Sequence, residues 1–208
     1  LINFLFDVDG TLTESRCKMD ESFKKDFGRW ITLQKNIGNN VYLVTGSDKQ
    51  KTIEQIGVAL WRHVSGAYQN SGNQLYQRGR LIKQSAWQMS AHLRLDLTIL
   101  AEKSPWYKMA DNKIEERVGM VNFSTLGRNA SIELRKNYFK WDSIIEERKN
   151  NAEWLSLKYP KLDFCIGGEI STDIYPKGRD KSQVLKDMCG KNIFFGDRCE
   201  AGGNDYTI

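Results

Sequence analysis

The apolar and polar positions along the chain follow two kinds of pattern, which divide it into three stretches. In the first stretch, residues 2–6 are a short, mostly apolar run that is followed by Asp7 and Asp9. Residues 41–44 are a second short apolar run, which is followed by TGSD. Short apolar runs bounded by turn residues are typical of strands buried in a parallel sheet. Residues 20–36 and 49–60 instead carry apolar side chains at helical spacing. Alternating strands and helices of this kind predict a parallel α/β sheet.

The pattern changes after residue 72. Residues 73–84 alternate around Arg78-Gly79, which predicts a β-hairpin. In the rest of this stretch, the pattern predicts helices at residues 85–103 and 142–159, a strand at residues 120–124 and a pair of strands at residues 162–176. This order of elements predicts an α+β module with an antiparallel sheet.

The last stretch returns to the first pattern. Residues 181–190 predict a helix with Gly190 at its C-cap, and the apolar strand that follows ends at Asp197. The chain therefore predicts an α/β fold in which a parallel-sheet core is split in sequence by an inserted module. Residues 1–72 are predicted to form the first part of the core, and residues 178–208 the second part. Residues 73–177 are predicted to form the inserted α+β module.

Composition adds little beyond an ordinary globular protein. Of the 208 residues, 40% are hydrophobic and 27% charged, and the net charge is +5. The basic residues are spread along the chain, which argues against a nucleic-acid partner, and the apolar runs are too short to cross a membrane. The N-terminal run is too short for a signal peptide and lacks a basic flank. We therefore expect a cytoplasmic protein without a nucleic-acid or membrane partner.

Cysteines and histidines do not form a recognisable site. The four cysteines are widely spaced, without a Cys/His cluster, so neither a zinc site nor a disulfide framework is predicted. His63 and His92 lie far from other candidate catalytic residues, and we interpret both as structural or surface residues. Chemistry in this protein is therefore not expected to depend on histidine.

Carboxylates follow two of the predicted strands. Asp7 and Asp9 come after the first strand, and Asp197 comes after the last. The carboxyl ends of parallel strands share one edge of the sheet, where ligands bind. Carboxylates placed so close together repel one another unless a divalent cation lies among them, and Mg²⁺ prefers such oxygen ligands. The sequence therefore predicts a magnesium site at this edge.

Hydroxyl groups and a lysine are predicted at the same edge. Thr45 and Ser47 follow the second strand and can donate to phosphate oxygens, and Lys181 begins the helix before the last strand. A carboxylate nucleophile, a metal ion, hydroxyls and a lysine together suit phosphoryl transfer through an aspartyl-phosphate.

Four segments resemble, in order, the motifs of the haloacid dehalogenase (HAD) superfamily. They are DVDGTLT, VTGSD, the lysine at position 181 and GDRCEAGGND. The first segment alone could be a surface loop or a calcium-type turn, but the other three argue against that interpretation. The resemblance implies a Rossmann-like core with an inserted cap.

The same resemblance implies roles for the acidic residues. Asp7 would be the nucleophile, and Asp9 would be the general acid and base. Mg²⁺ would be held by Asp7, the backbone carbonyl of Asp9, and Asp197, with Asp205 as a weaker candidate that contacts a metal-bound water. Lys181 would complete the catalytic set.

Three arginines of the inserted module lie close together in sequence. For any one of Arg117, Arg128 and Arg135, a solvated surface position would be the simpler interpretation. However, Arg117 precedes a glycine and a strand, and Arg128 follows Gly127 directly after that strand. Guanidinium groups at such turns can be directed at one phosphate.

This region resembles the cap of eukaryotic-type phosphomannomutases. The matching segments of this region are ERVGMVNFSTLGR and GGEISTDIYPKGRDK, and the segments TLTESR and FFGDRCEAGGNDY of the core match the same family. The resemblance implies a set of residues for the phosphate that is not transferred, namely Arg117, Arg128, Arg135 and Ser171. It also implies that Asp173 binds sugar hydroxyls and that Arg16 reaches the ligand from the core.

The resemblance favours a Mg²⁺-dependent phosphohexomutase. It would interconvert mannose 6-phosphate and mannose 1-phosphate through an aspartyl-phosphate, with a hexose 1,6-bisphosphate as activator. The resemblance also implies a homodimer through the cap. The alternative enzyme is a HAD sugar-phosphate phosphatase, in which water is the acceptor. A third hypothesis, a non-catalytic sugar-phosphate sensor, is disfavoured because a binding module needs no nucleophile.

Overall fold

The computed structural model describes residues 1–14, 17–200 and 203–208. These residues form two compact units. The first contains residues 1–85 and 178–208, and the second contains residues 86–177. Each unit has its own sheet and its own apolar core.

The first unit is built on a six-stranded sheet with the order β10-β1-β2-β3-β4-β5. Its strands are β1 (Ile2–Phe6), β2 (Asn40–Val44), β3 (Gly66–Gln69), β4 (Gln74–Gln77), β5 (Arg80–Gln84) and β10 (Lys191–Phe195). Strands β10, β1, β2 and β3 are parallel, whereas β4 and β5 pair antiparallel. Successive apolar residues of β1 point to opposite faces, so Leu5 and Phe6 belong to separate apolar clusters.

Among the described residues, the first unit contains three α-helices and a 3₁₀ helix, and two of the α-helices begin at acidic caps. The α-helices are α1 (Glu21–Asn36), α2 (Lys49–Ile56) and α3 (Val58–His63), and the 3₁₀ helix lies at Lys181–Asp187. Asp20 and Asp48 accept hydrogen bonds from backbone N–H groups in the first turns of α1 and α2. These bonds satisfy donors that the first turn of a helix leaves open.

Three details of the first unit differ from the sequence prediction. The helix predicted over 49–60 is divided at Gly57, whose φ of 84° interrupts the helical backbone. The hairpin predicted to open the inserted module extends the first sheet through β3, so the second unit begins at residue 86 and not at 73. The segment predicted as a helix with a C-cap at Gly190 is a 3₁₀ helix that ends at Asp187. Gly190 instead has a φ of 97° and lies so close to Leu1 that a Cβ would be 2.7 Å from the Leu1 carbonyl oxygen.

The second unit contains a four-stranded antiparallel sheet and three helices. The sheet order is β6-β7-β9-β8. The elements are β6 (Ile114–Arg117), β7 (Met120–Phe123), β8 (Leu162–Gly167), β9 (Ser171–Pro176), α4 (Ala91–Lys103), α5 (Ile132–Ile145) and α6 (Glu147–Lys158). The helix predicted over 142–159 is divided at Glu146, which has a left-handed backbone with a φ of 57°. The predicted fold class, a parallel-dominated sheet with a separate antiparallel sheet, is confirmed.

Among the described residues, none of the helices combines the length and the apolar character that crossing a bilayer requires.

A buried ion pair joins α5 and α6. Asp142 accepts hydrogen bonds from the backbone N–H of Arg148 at 2.9 Å and from its Nε at 2.7 Å. The Arg148 Nη1 also donates to the carbonyl oxygen of Gly168 at 3.1 Å. Because both side chains are buried, the loss of one leaves an uncompensated charge inside the protein.

We therefore expect Asp142→Ala to lower the free energy of unfolding by about 3–5 kcal/mol in urea denaturation. Lys149→Gln is the matched control, because it removes an ion pair with Glu146 in which both side chains are half exposed. The control should leave the urea midpoint unchanged. An equal midpoint for Asp142→Ala and the control would show that the buried pair does not stabilise this helix junction.

Candidate active site

Three of the four predicted carboxylates of the first unit meet near the ends of β1 and β10. These strands pair in parallel, and the backbone N–H of Asp7 donates to the Phe195 carbonyl at 2.9 Å, so the chain leaves both strands at the same level. Carboxylate oxygens of Asp7, Asp197 and Asp205 all lie within 4.8 Å of one another. Asp7 and Asp205 are buried, and Asp197 is exposed. We call these three residues the carboxylate group.

Lys181 neutralises part of the carboxylate group. Its Nζ donates to Asp7 Oδ1 at 2.9 Å and to Asp205 Oδ1 at 2.5 Å. The lysine is 2% exposed, and this burial alone would lower its pKa. The two neighbouring carboxylates outweigh that effect and raise the pKa of Lys181 above its usual value, so the ammonium group stays charged.

The carboxylate group still carries an excess of negative charge. Burial raises the pKa of Asp7 to about 6, with a further increase from Asp205 and an opposing effect from Lys181. Burial also raises the pKa of Asp197, and Asp205 adds to that increase. Clustered carboxylate oxygens with raised pKa values are a suitable donor set for a hard divalent cation. The residues present therefore fit a metal ion, with Asp205 as a full member of the set.

Asp9 faces helix α2, and its carboxylate is not part of the carboxylate group. Its Oδ2 accepts from Lys51 Nζ at 2.7 Å and from Ser47 Oγ at 3.1 Å, and its Oδ1 accepts from Gln55 Nε2 at 2.8 Å. The predicted metal contact of Asp9 was its backbone carbonyl, and that contact stays a prediction. Sequence reasoning missed Lys51 and Gln55. Their spacing of four residues on the helix that follows VTGSD was the available signal.

Thr45 and Ser47 form a buried turn after β2. The backbone N–H of Ser47 donates to Thr45 Oγ1 at 3.1 Å. The loop after β3 supports this turn, because the N–H groups of Asn70 and Ser71 donate to the carbonyls of Ser47 and Thr45 at 3.0 and 2.9 Å. Gln183 Nε2 donates to the Ser71 carbonyl at 2.7 Å. The same loop therefore connects the turn to the 3₁₀ helix that carries Lys181.

Gly10 permits the close approach of the two aspartate-bearing segments. Its φ is +83°, and a Cβ at this position would lie 2.3 Å from Oδ2 of Asp197. Only glycine combines this backbone conformation with that contact. The glycine of DVDGTLT is therefore required by the position of Asp197, which lies almost the whole chain away in sequence.

The second unit contains a separate row of polar side chains. Glu115 pairs with Asn122 across β6 and β7, and Asn122 pairs with Asp173 across β7 and β9. Residues paired in this way point to the same face of a sheet. Asn122 Nδ2 donates to Asp173 Oδ1 at 2.6 Å.

Two of the predicted arginines contact this row. Arg117 donates to Glu115 Oε1 at 3.0 Å through both Nε and Nη2, and Arg128 Nε donates to Glu115 Oε2 at 3.1 Å. Arg128 Nη1 also lies 3.5 Å from Ser171 Oγ. We call Arg117, Arg128, Ser171, Asp173 and Glu115 the arginine cluster. Four of its members were predicted from the sequence, and Glu115 was missed.

The charges of the arginine cluster compensate one another. Burial alone would raise the pKa of Glu115, but Arg117 and Arg128 together bring it below its usual value. Burial raises the pKa of Asp173, and Asn122 and the two arginines only partly oppose this increase. Glu115 is therefore a carboxylate at neutral pH.

Of the other two predicted arginines, the structure describes only Arg135. Arg135 is buried and donates through Nε to the Ala130 carbonyl at 3.0 Å, and through Nη2 to the Arg128 carbonyl. These contacts hold the backbone at Arg128, and a direct contact of Arg135 with phosphate stays a prediction. Arg16 lies outside the described residues.

Comparison with known proteins points to one family. The sequence model of the family "Eukaryotic phosphomannomutase" matches residues 29–208. The phosphomannomutase of Galdieria sulphuraria is 33% identical over 221 residues, which cover 98% of this chain and 83% of the relative. The phosphomannomutase of Saccharomyces cerevisiae is 34% identical over 216 residues, with the same coverage of 98% and 83%.

Solved structures are similar in fold. A Streptococcus mutans protein superposes with a TM-score of 0.67 at 14% identity and covers 98% of this chain and 82% of that protein. The sucrose-phosphatase of Synechocystis has a TM-score of 0.56 at 11% identity and covers 99% of this chain and 78% of the phosphatase. These similarities support the predicted fold, in which a mostly parallel sheet is combined with a separate antiparallel sheet.

Gly10 offers a direct test of the carboxylate group. We expect Gly10→Ala to displace the carboxylate of Asp197 and to weaken binding of the predicted Mg²⁺ roughly 10- to 100-fold, measured by isothermal titration calorimetry. Gly38→Ala is the matched control, because Gly38 has a φ of +84° but no atom near the added Cβ. Both variants carry the same backbone strain of about 1–2 kcal/mol. Equal Mg²⁺ affinities in the two variants would contradict this role for Gly10.

Proposed function

The chain belongs to the eukaryotic phosphomannomutase family, and from this premise we propose that it is a Mg²⁺-dependent phosphohexomutase that interconverts mannose 6-phosphate and mannose 1-phosphate. The observation that carries the proposal is the presence of two separate clusters of charged side chains. One cluster has a nucleophile with a lysine, and the other has two arginines with a serine. A mutase must recognise both phosphates of a bisphosphate, whereas a phosphatase needs only the first cluster.

Asp7 acts as the nucleophile in this proposal. An oxygen of its carboxylate attacks phosphorus of a hexose 1,6-bisphosphate, and the bond between phosphorus and the sugar oxygen breaks. Asp7 is buried, so its oxygens are weakly solvated before they react. The Lys181 ammonium group orients the Asp7 carboxylate, because it contacts one of its two oxygens.

Asp9 moves the proton. It donates a proton to the leaving sugar oxygen, and in the second half of the reaction it removes one from the hydroxyl of the incoming hexose monophosphate. Ser47, Lys51 and Gln55 hold its carboxylate through three hydrogen bonds. The turn at Thr45 and Ser47 supplies hydroxyl and backbone donors for the oxygens of the transferring phosphoryl group.

Mg²⁺ would be held by Asp7, Asp197 and Asp205, with the backbone carbonyl of Asp9 as a further ligand. When bound, it supplies positive charge that lowers the cost of bringing an anionic phosphate to a carboxylate nucleophile. The proposal is supported by the carboxylate oxygens of Asp7, Asp197 and Asp205, which lie within 4.8 Å of one another.

The arginine cluster binds the phosphate that is not transferred. Arg117, Arg128 and Ser171 offer N–H and O–H donors that suit a phosphate dianion. Asp173 accepts hydrogen bonds from sugar hydroxyls. After the first transfer, the hexose 1,6-bisphosphate intermediate must bind in the opposite orientation, with its other phosphate at Asp7. The cluster therefore has to accept a phosphate on either end of the sugar.

The alternative function is a sugar-phosphate phosphatase, in which water replaces the hexose monophosphate as the acceptor. A coupled assay separates the two. With mannose 1-phosphate or glucose 1-phosphate as substrate, a mutase forms the 6-phosphate faster when a hexose 1,6-bisphosphate is added. Release of inorganic phosphate without activator, well above the rate of isomerisation, would overturn the mutase proposal.

Asp7→Asn tests the nucleophile. It keeps the size of the side chain but removes the attacking charge, so we expect turnover to fall by about 1,000-fold or more. Asp26→Asn is the control, because Asp26 lies on α1 with an exposed side chain. Full turnover in Asp7→Asn would exclude both the mutase and the phosphatase.

A further inference from the structure

Glu115 is a carboxylate at the centre of a cluster whose proposed ligand is an anion. Its two oxygens accept hydrogen bonds from both arginines that would bind phosphate. An acidic residue at this place opposes phosphate binding by charge alone. Its presence therefore needs a reason other than direct contact with the ligand.

We propose that Glu115 is a positioning residue for the non-transferred phosphate, which holds the guanidinium groups of Arg117 and Arg128 in the orientation that binds it. This inference rests on the proposed function, because it assumes that the arginine cluster receives a phosphate.

The contact geometry gives each arginine a defined plane. Glu115 Oε1 accepts hydrogen bonds from Nε and Nη2 of Arg117, at 3.0 Å each, and Glu115 Oε2 accepts one from Nε of Arg128 at 3.1 Å. A guanidinium is planar and rigid, so a bond at Nε restricts where its terminal nitrogens point. One carboxylate thus orients two guanidinium groups, and Ser171 contacts a terminal nitrogen of the second at 3.5 Å.

Glu115 is itself held in place. It lies on β6, directly opposite Asn122 of β7, and Asn122 lies opposite Asp173 of β9. The side chain of Glu115 is 31% exposed, and those of Arg117 and Arg128 are 20% and 18% exposed. Such partly buried pairs are less screened and less mobile than pairs at the surface. The three side chains therefore keep their arrangement before a ligand arrives.

The charge of Glu115 also makes the arrangement stable without ligand. Arg117 and Arg128 are like charges that repel when they approach a common point. The carboxylate between them offsets this repulsion, so the two guanidinium groups stay together. Preorganisation of this kind reduces the conformational cost that a phosphate ester meets on binding.

The neighbouring residue provides a matched control. Glu116 points to the opposite face of β6, where it pairs with Arg94, and both side chains are about half exposed. Glu116→Gln removes the same charge at the adjacent position without touching the arginine cluster. A difference between Glu115→Gln and Glu116→Gln therefore reports on position and not on net charge.

The experiment measures binding of mannose 6-phosphate by isothermal titration calorimetry without activator, together with kcat and KM in the coupled assay. We expect Glu115→Gln to weaken binding and to raise KM by about tenfold, with kcat changed by less than about threefold. Glu115→Asp keeps the charge with a shorter reach and should fall between Glu115→Gln and the unsubstituted protein. Glu116→Gln should bind within about twofold of the unsubstituted protein.

The outcomes separate this inference from the function on which it rests. Binding in Glu115→Gln as tight as in the unsubstituted protein, or tighter, overturns the positioning role. So does equal weakening in Glu116→Gln. If Glu115→Gln does not fold by circular dichroism, Glu115→Asp decides, and unchanged affinity in that variant overturns the role. Binding without isomerisation in the unsubstituted protein would instead refute the mutase while leaving the Glu115 comparison intact.

Discussion

The buried ammonium group of Lys181 is shared by two buried carboxylates, on Asp7 and Asp205, and the rest of the candidate active site depends on this contact. Without the lysine, these two acids would repel each other in a region with little solvent. With the lysine, one ammonium group partly neutralises two carboxylates, so the site keeps a negative charge that suits a divalent cation. Asp197, at the exposed side of the group, offers a further carboxylate to that cation.

In the proposed function, the two units have different roles. The parallel sheet of the first unit carries its reactive groups on the loops that leave the strands, where Asp7 and the turn at Thr45 lie. The antiparallel sheet of the second unit carries its groups on the strands themselves, because alternation puts Glu115, Asn122 and Asp173 on one face. Side chains on strands have little conformational freedom, which would suit the proposed recognition of a phosphate at either end of a sugar.

The sequence predicts much of this arrangement, and its failures have physical causes. The apolar runs that end in Asp7 and Asp197 are short and strongly patterned, so the parallel strands and the meeting of their acids follow directly. The division of a helix at Gly57 was missed, because the helical spacing of apolar residues continues across this glycine although the backbone leaves the helical conformation there. The hairpin after residue 72 was assigned to the inserted module, since local alternation does not tell which sheet a strand joins. Glu115 was missed because a charged residue on a short strand looks like solvated surface until its partners are known.

The central claim of the proposed function is that a hexose 1,6-bisphosphate offers one phosphate to the nucleophile and the other to the arginine cluster. The most direct measurement is a crystal structure of Asp7→Asn with Mg²⁺ and a hexose 1,6-bisphosphate bound. The account predicts one phosphate beside residue 7 and Lys181, and the other within hydrogen-bond distance of Arg117 and Arg128. A bisphosphate whose second phosphate lies in solvent, away from both arginines, would contradict it.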